Sequence, residues 1–214
     1  MELFRPYAEA GREIVCFSIS AGMSTSGNVM RLAAEELGAS GQITVIDSAN
    51  LSTGIGLLVV EAAIMAKNNR TASQIVSEIE KLKPNVRASF VVDTLTYLYR
   101  GGRCNAVAAM AGGILKLHPR IVVENGVMNA SKKYRGKINS VIMDYVKDME
   151  KDLKNARPER VFITHSGCKQ ETVEKVRAYL EELDVFDEIL ETRAGGVISS
   201  HCGPGTLGVL YIAK

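Results

Sequence analysis

The sequence predicts an α/β protein built as two α/β units, the first around a parallel sheet and the second around a mixed sheet. Three observations predict it. Apolar, largely β-branched runs alternate with helix-period segments from residue 13 onward, Pro84 separates two different patterns, and an Asn-Gly pair at 125–126 joins two strand-like runs. On these signals the first unit spans residues 1–85 and the second 86–214.

In the first unit, Glu13 to Ile19 reads as a buried strand. A helix follows from Thr25 or Ser26 to Leu37, with Gly38 suited to a left-handed cap. Gln42 to Asp47 is the next strand, and two strands joined by one helix imply parallel pairing and a right-handed crossover. Leu57 to Lys67 is apolar nearly all round, so a helix buried on several sides is expected there. Thr71-Ala72-Ser73-Gln74 has capping-box spacing and opens an amphipathic helix carrying Ile75, Val76, Ile79 and Leu82, which Pro84 stops.

The second unit starts with a strand pattern at Ala88 to Val92. Ile121 to Glu124 and Val127 to Ala130 flank Asn125-Gly126, the strongest short hairpin signal. A long helix is expected from about Lys137 to Asn155, a strand at Arg160 to Thr164, and a helix at Gln170 to Leu183. Further strands are expected at Ile189-Leu190 and at Thr206 to Ile212.

Composition narrows the function. A net charge of +2 with interleaved signs, no tryptophan and 6% aromatic residues argue against a nucleic-acid partner. The four cysteines, Cys16, Cys104, Cys168 and Cys202, never form a close pair, which points to reduced core residues and no structural zinc. The most apolar stretch, Ile55 to Ala66, contains Glu61 and falls short of the roughly 20 residues that span a bilayer. The first residues carry no basic-then-apolar signal pattern. A soluble cytoplasmic protein without stable membrane insertion is the expectation.

Four segments could carry chemistry. Ile19 to Asn28 joins a strand end to a helix start, where hydroxyls and backbone N–H groups can converge on an anion, a carboxylate or a phosphate equally, or the segment can be a hydroxyl-rich N-cap and nothing more. It lacks the Gly-Lys-Ser/Thr ending of a Walker loop. Asp47 to Gly56 begins at the carboxyl end of a strand, where open α/β sheets place ligands. Asp47 could bind a metal or a hydroxyl there, but it is expected rather to fix that loop by accepting backbone N–H bonds. In Tyr97 to Arg103 two glycines precede an arginine, which suits forked recognition of carboxylate or phosphate, although an unengaged surface arginine is the simpler reading. In Ser199 to Gly205, His201 stands beside Gly-Pro-Gly in what reads as a tight loop, a setting that His118 and His165 lack. Cys202 has no evident activating base, so a thiol nucleophile is discounted.

Together and in this order, these segments resemble the DegV family, which includes the fatty-acid-binding subunits of bacterial fatty acid kinase. Ser20 to Ser24 matches the family's serine loop, Asp47-Ser48 its Asp-Ser strand end, and Leu98 to Arg103 its Tyr-Leu-x-x-Gly-Gly-Arg segment. Leu117-His118-Pro119 falls where the family often has Lys-Pro, Asn125-Gly126 lies in its hairpin, and His201 to Gly205 matches His-x-Gly-Pro-Gly.

The resemblance implies a DegV-like fold with a long-chain fatty acid between the two units and no cofactor or metal. Ser24 matches the serine that holds the carboxylate, and His201 the histidine that supports it. Ser20, Thr25, Ser26, Gly27 and Gly203 belong to the same two ligand-binding segments. Arg103 and Arg135 match basic residues that dock on the fatty acid kinase subunit, and that kinase, not this chain, transfers phosphate. The alternative reading is a small-molecule kinase or phosphotransfer-type enzyme that uses His201, and a third is a non-binding remnant that acts through association.

Two departures from the family pattern stand out. The loop reads Ser24-Thr25-Ser26-Gly27 instead of Ser-Gly-Thr. Family members also begin with a further strand ending in Asp-Ser and a Thr-Ser-x-Pro-Ser segment, which this sequence lacks. The first unit's sheet should then leave an edge uncovered, which invites a homodimer or pairing with another segment.

Overall fold

The computed structural model describes residues 1–102 and 117–214. The chain divides into two compact units, Met1–Pro84 and Asn85–Lys214.

In the first unit, strand β1 (Ile14–Ser18) and strand β2 (Ile43–Asp47) pair in parallel, Ile14 opposite Ile43 and Ser18 opposite Asp47. Helix α2 (Ser26–Glu36) makes the crossover, and Gly38 takes φ +64 just beyond its end. Alternation along β1 sends Ile14 and Cys16 to one face, against Ala34, Ala39, Ile43, Leu37 and Val45. A short helix α1 (Arg5–Glu9), with Pro6 near its start, lays Ala8 on that cluster together with Phe4. The sequence pattern gives no hint of α1, because five residues hold too little periodicity. Val15 and Phe17 face the other way, in a groove with Val59, Ala62 and Ile75.

Helix α3 (Thr53–Lys67) starts four residues before the expected Leu57 and buries a single face, with Leu57, Leu58, Glu61 and Ala62 inside. Val59 and Ile64 are exposed, at 42% and 41% of their surface. The helix is therefore buried on one side, and not on several as its apolar composition had suggested. Beside these two strands, among the described residues, there is not enough structure to cover an all-apolar helix. Helix α4 (Ala72–Leu82) opens on the predicted capping box, Thr71 Oγ1 accepting from the Gln74 N–H and Gln74 Oε1 from the Thr71 N–H. The two strands form a sheet of their own, so among the described residues each has an edge with no neighbouring strand.

The second unit holds a six-stranded mixed sheet. Its strands are β3 (Val86–Val91), β4 (Leu117–Glu124), β5 (Val127–Arg135), β6 (Ala156–Ser166), β7 (Ile189–Arg193) and β8 (Thr206–Ala213), in the order β5-β4-β3-β8-β6-β7. Among the described strands of this sheet, only β6 and β7 run parallel. Asn125 (φ +51) and Gly126 (φ +77) both adopt the left-handed conformation that a two-residue hairpin turn needs. The hairpin is longer than predicted because β4 passes through Pro119, where the register shifts and no ladder N–H is needed.

Helix α6 (Ile138–Asp148) and helix α7 (Glu150–Lys154) fill the span expected of one long helix, with the break at Met149. With helix α8 (Gln170–Glu182) they cover one sheet face, where Val91, Val161, Ile163, Leu207 and Val209 meet Val141, Tyr145, Val146, Val173, Val176 and Leu180. The opposite face, set by strand alternation, carries the buried side chains of Phe90, Ile121, Phe162 and Leu210. Two short helices, α5 (Thr96–Gly101) and α9 (Gly196–Cys202), pack on each other. No helix among the described residues is long and apolar enough to cross a membrane.

Candidate functional site

The serine segment of the first unit folds as a turn closed on itself. The N–H groups of Met23 and Ser24 donate to the Ser20 carbonyl at 2.9 and 3.0 Å, and the Gly22 N–H donates to Ser20 Oγ at 3.1 Å. Ser20 is only 2% exposed, so its hydroxyl serves the turn from inside. Ser24 and Ser26 are half-buried, with their hydroxyl oxygens 2.8 Å apart, and Ser24 Oγ accepts the Ser26 N–H at 3.2 Å. Thr25, the residue ahead of α2, makes no side-chain capping bond. Among the described residues the N–H groups of Thr25 and Gly27 make no hydrogen bond. The start of α2 thus offers two free N–H donors and a hydroxyl pair, at the positive end of the helix dipole.

Two neighbours hold this turn in place. Asp47, at the end of β2, accepts the Ala21 N–H at 3.3 Å and the Ala49 N–H at 2.9 Å, so its carboxylate ties two loops together. That is the structural role expected of it. Gly27 is buried where a Cβ would stand 2.7 Å from Ser18 Oγ, so glycine there lets α2 sit directly over the end of β1.

Sequence reasoning passed over Asn50. It is 3% exposed, its carbonyl accepts the Ser20 N–H at 2.9 Å, and its Oδ1 accepts the Leu51 N–H at 3.1 Å. Gly54 leaves room for it, since a Cβ there would lie 2.0 Å from Asn50 Oδ1. Ala49 and Ser52 beside it hold positive φ (49° and 51°), a strained loop that these hydrogen bonds maintain. The signal available in the sequence was an asparagine four residues ahead of a glycine at a strand end.

In the second unit His201 does not sit in a loop, as its sequence setting suggests, but in the last turn of α9. Val197, Ile198 and two serines are weak helix formers, which hid the helix from pattern reading. Gly203 ends it at φ +79, its N–H donating to the Ser199 carbonyl at 2.8 Å. A Cβ on Gly203 would lie 2.3 Å from Tyr97 Cδ2, so the ring of Tyr97 closes over this glycine. The Gly205 N–H then donates to the Ser166 carbonyl at 2.7 Å, which fixes the loop to the end of β6.

His201 is half-buried. Cys202 beside it is buried, and that burial pushes its thiol up to about 12, so it is inert as a nucleophile at neutral pH. The other histidines are enclosed. His118 spans the carbonyls of Val92 and Gly136 at 3.3 and 3.0 Å, and His165 is 2% exposed with Nε2 3.4 Å from Glu191 Oε1.

The structure groups Ser20, Ser24, Thr25, Ser26 and Gly27 in one turn of the first unit, and His201 with Gly203 at one helix end of the second. Arg135 is exposed at the end of β5, opposite Leu117. Arg103 and Cys104 lie outside the described residues. Among the described residues no three His, Cys, Asp or Glu side chains gather as a metal site would require.

Comparison with known proteins gives one consistent result. A DegV domain-containing protein of Deinococcus radiodurans is 31% identical over 97% of this chain and 74% of its own length. A solved DegV family protein from Thermus thermophilus, described by its fatty acid binding, superposes over the whole chain and 75% of its own with a TM-score of 0.86 at 27% identity. DegV of Bacillus subtilis, described as a fatty acid binding protein, gives 0.79 at 28% identity over the whole chain and 76% of its own. The family described as "Uncharacterised protein, DegV family" matches residues 1–214, and the chain belongs to the DegV family.

Proposed function

We propose that this protein binds a long-chain fatty acid and presents its carboxylate to a separate kinase, without catalysing a reaction itself. The observation that carries the reading is a serine turn with unspent donors, in a family whose Thermus thermophilus and Bacillus subtilis members are described as fatty acid binding. In this reading Ser24 Oγ, backed by Ser26 and the N–H groups of Thr25 and Gly27, holds the carboxylate, and His201 supports it. Ser20 and Gly203 shape the two segments.

The energetics suit such a ligand. Burying about 16 carbons at roughly 0.8 kcal/mol per CH₂ yields on the order of 10 kcal/mol before ordering costs. The carboxylate must then find hydroxyl, amide or imidazole donors, because a buried charge without them is expensive.

The test is direct. Protein purified from bacteria should release a long-chain fatty acid into a solvent extract, identified by mass spectrometry, and the delipidated protein should take up oleate or palmitate. A clean extract together with no uptake overturns the reading. Ser24→Ala should weaken oleate binding about tenfold or more, the worth of one hydrogen bond to a charged group, with the fold intact by circular dichroism. Arg103 and Arg135 are the proposed kinase-docking residues. Arg135→Glu should therefore keep oleate bound while slowing acyl phosphate formation by the kinase subunit of the same organism.

A further inference from the structure

Gly101 is the last residue of α5, and the place where its side chain would stand is already filled. An ideal Cβ there would lie 2.2 Å from His201 Nδ1, 3.0 Å from Cε1 and 3.3 Å from Cγ. Non-bonded heavy atoms rest at about 3.5 Å or more, so any side chain at this position must push the imidazole away. The Nδ1 edge of His201 is thus seated against bare backbone, and Nε2 and Cδ2 form the far side of the ring.

Backbone conformation does not explain this glycine. The positive φ of the pair belongs to Gly102 (+63°), whose ideal Cβ would meet nothing within 4 Å. Of two adjacent glycines, one is conformational and the other makes room for a histidine about 100 residues away in sequence.

We propose that Gly101 is a positioning residue: the missing side chain seats the Nδ1 edge of His201 on the end of α5 and leaves Nε2 to face the bound carboxylate. This rests on the reading that His201 supports a fatty acid carboxylate. It assigns the first glycine of the Gly-Gly-Arg segment a part in ligand binding through His201, apart from any docking role of the arginine.

The experiment uses the full chain, delipidated, with oleate as the probe and four variants: His201→Ala, Gly101→Ala, Gly102→Ala and the double variant Gly101→Ala/His201→Ala. Gly101→Ala should weaken oleate binding by about the same tenfold or more as His201→Ala. The double variant should bind no more weakly than His201→Ala alone, because the added methyl then meets no ring. Gly102→Ala should lose thermal stability and keep its affinity. The imidazole resonances of His201, followed by NMR without ligand, should move in Gly101→Ala and stay in Gly102→Ala.

Wild-type oleate affinity in Gly101→Ala, or losses that add in the double variant, would overturn the positioning role. Should His201→Ala bind oleate normally, the carboxylate reading of His201 fails and the ligand-binding part of Gly101 falls with it, while the NMR judges the seating of the ring alone: unmoved resonances reject that seating and shifted ones uphold it. If Gly101→Ala does not fold, the double variant decides, since recovery of the fold supports a steric clash with His201 and continued unfolding refutes it.

Discussion

The hydroxyl of Tyr145 reaches from α6 into the middle of the six-stranded sheet. It donates to the Ser89 carbonyl at 2.8 Å and accepts the Val209 N–H at 3.0 Å, with Ser89 Oγ at 2.9 Å. Ser89 and Val209 are paired residues of β3 and β8, so one phenol bridges two central strands. Tyr145→Phe would leave buried backbone groups without a partner, and a loss of about 1–3 kcal/mol in denaturant unfolding is expected. Thiols add a second effect at this scale. Burial pushes Cys202 up to about 12 and Cys168 to about 11, against an ordinary thiol near 8.5 in the unfolded chain. A pKa raised by folding gives stability that is complete below the unfolded value and lost as pH climbs toward the folded one. Unfolding free energy should therefore decline from about pH 8.5 upward, and a Cys168→Ala/Cys202→Ala variant should flatten the first part of that decline.

At the scale of elements, two glycines of α3 separate packing from propensity. Gly54 faces Asn50, whose Oδ1 would lie 2.0 Å from an added Cβ, whereas the nearest atoms to a Cβ on Gly56 are 3.7 Å away on Thr53. Gly54→Ala should destabilise the loop that holds the serine turn, while Gly56→Ala should raise the melting temperature, alanine being favoured by roughly 0.5–1 kcal/mol inside a helix. A thermal melt of both variants checks the opposite signs. The serine segment was legible in sequence as a turn between a strand and a helix, because its small hydroxyl residues follow an apolar run and precede a helical pattern. Helix α9 was not legible, since its residues are weak helix formers and its end is set by the positive φ of Gly203 under the ring of Tyr97. The role of Asn50 was hidden for a similar reason: besides its bonds to Ser48 and Leu51 close by, it holds the distant Ser20 N–H and fills the space left by Gly54.

At the scale of the whole molecule the two units differ in what supports them. Among the described residues of 85–214, six strands and three helices enclose a continuous core, many of its side chains fully buried. Residues 1–84 have two parallel strands with open edges, and parallel sheets are normally covered on both faces. A fragment of residues 85–214 should therefore unfold cooperatively by itself, and one of residues 1–84 should show weak, non-cooperative melting by circular dichroism. Equal cooperativity in both fragments would contradict that account.

The sequence by itself determined the order of the strands and of the longer helices, the parallel pairing of the first two strands, the Asn-Gly hairpin and the family. All of these rest on local periodicity, turn chemistry and short motifs, which need no knowledge of distant contacts. Only the tertiary structure decided that β8 enters the sheet between β3 and β6, that Tyr145 bridges two strands, and that Gly101 is vacant for the ring of His201. Each of these joins residues far apart along the chain through steric fit or a buried hydrogen bond, and neither leaves a periodic trace in the residues themselves.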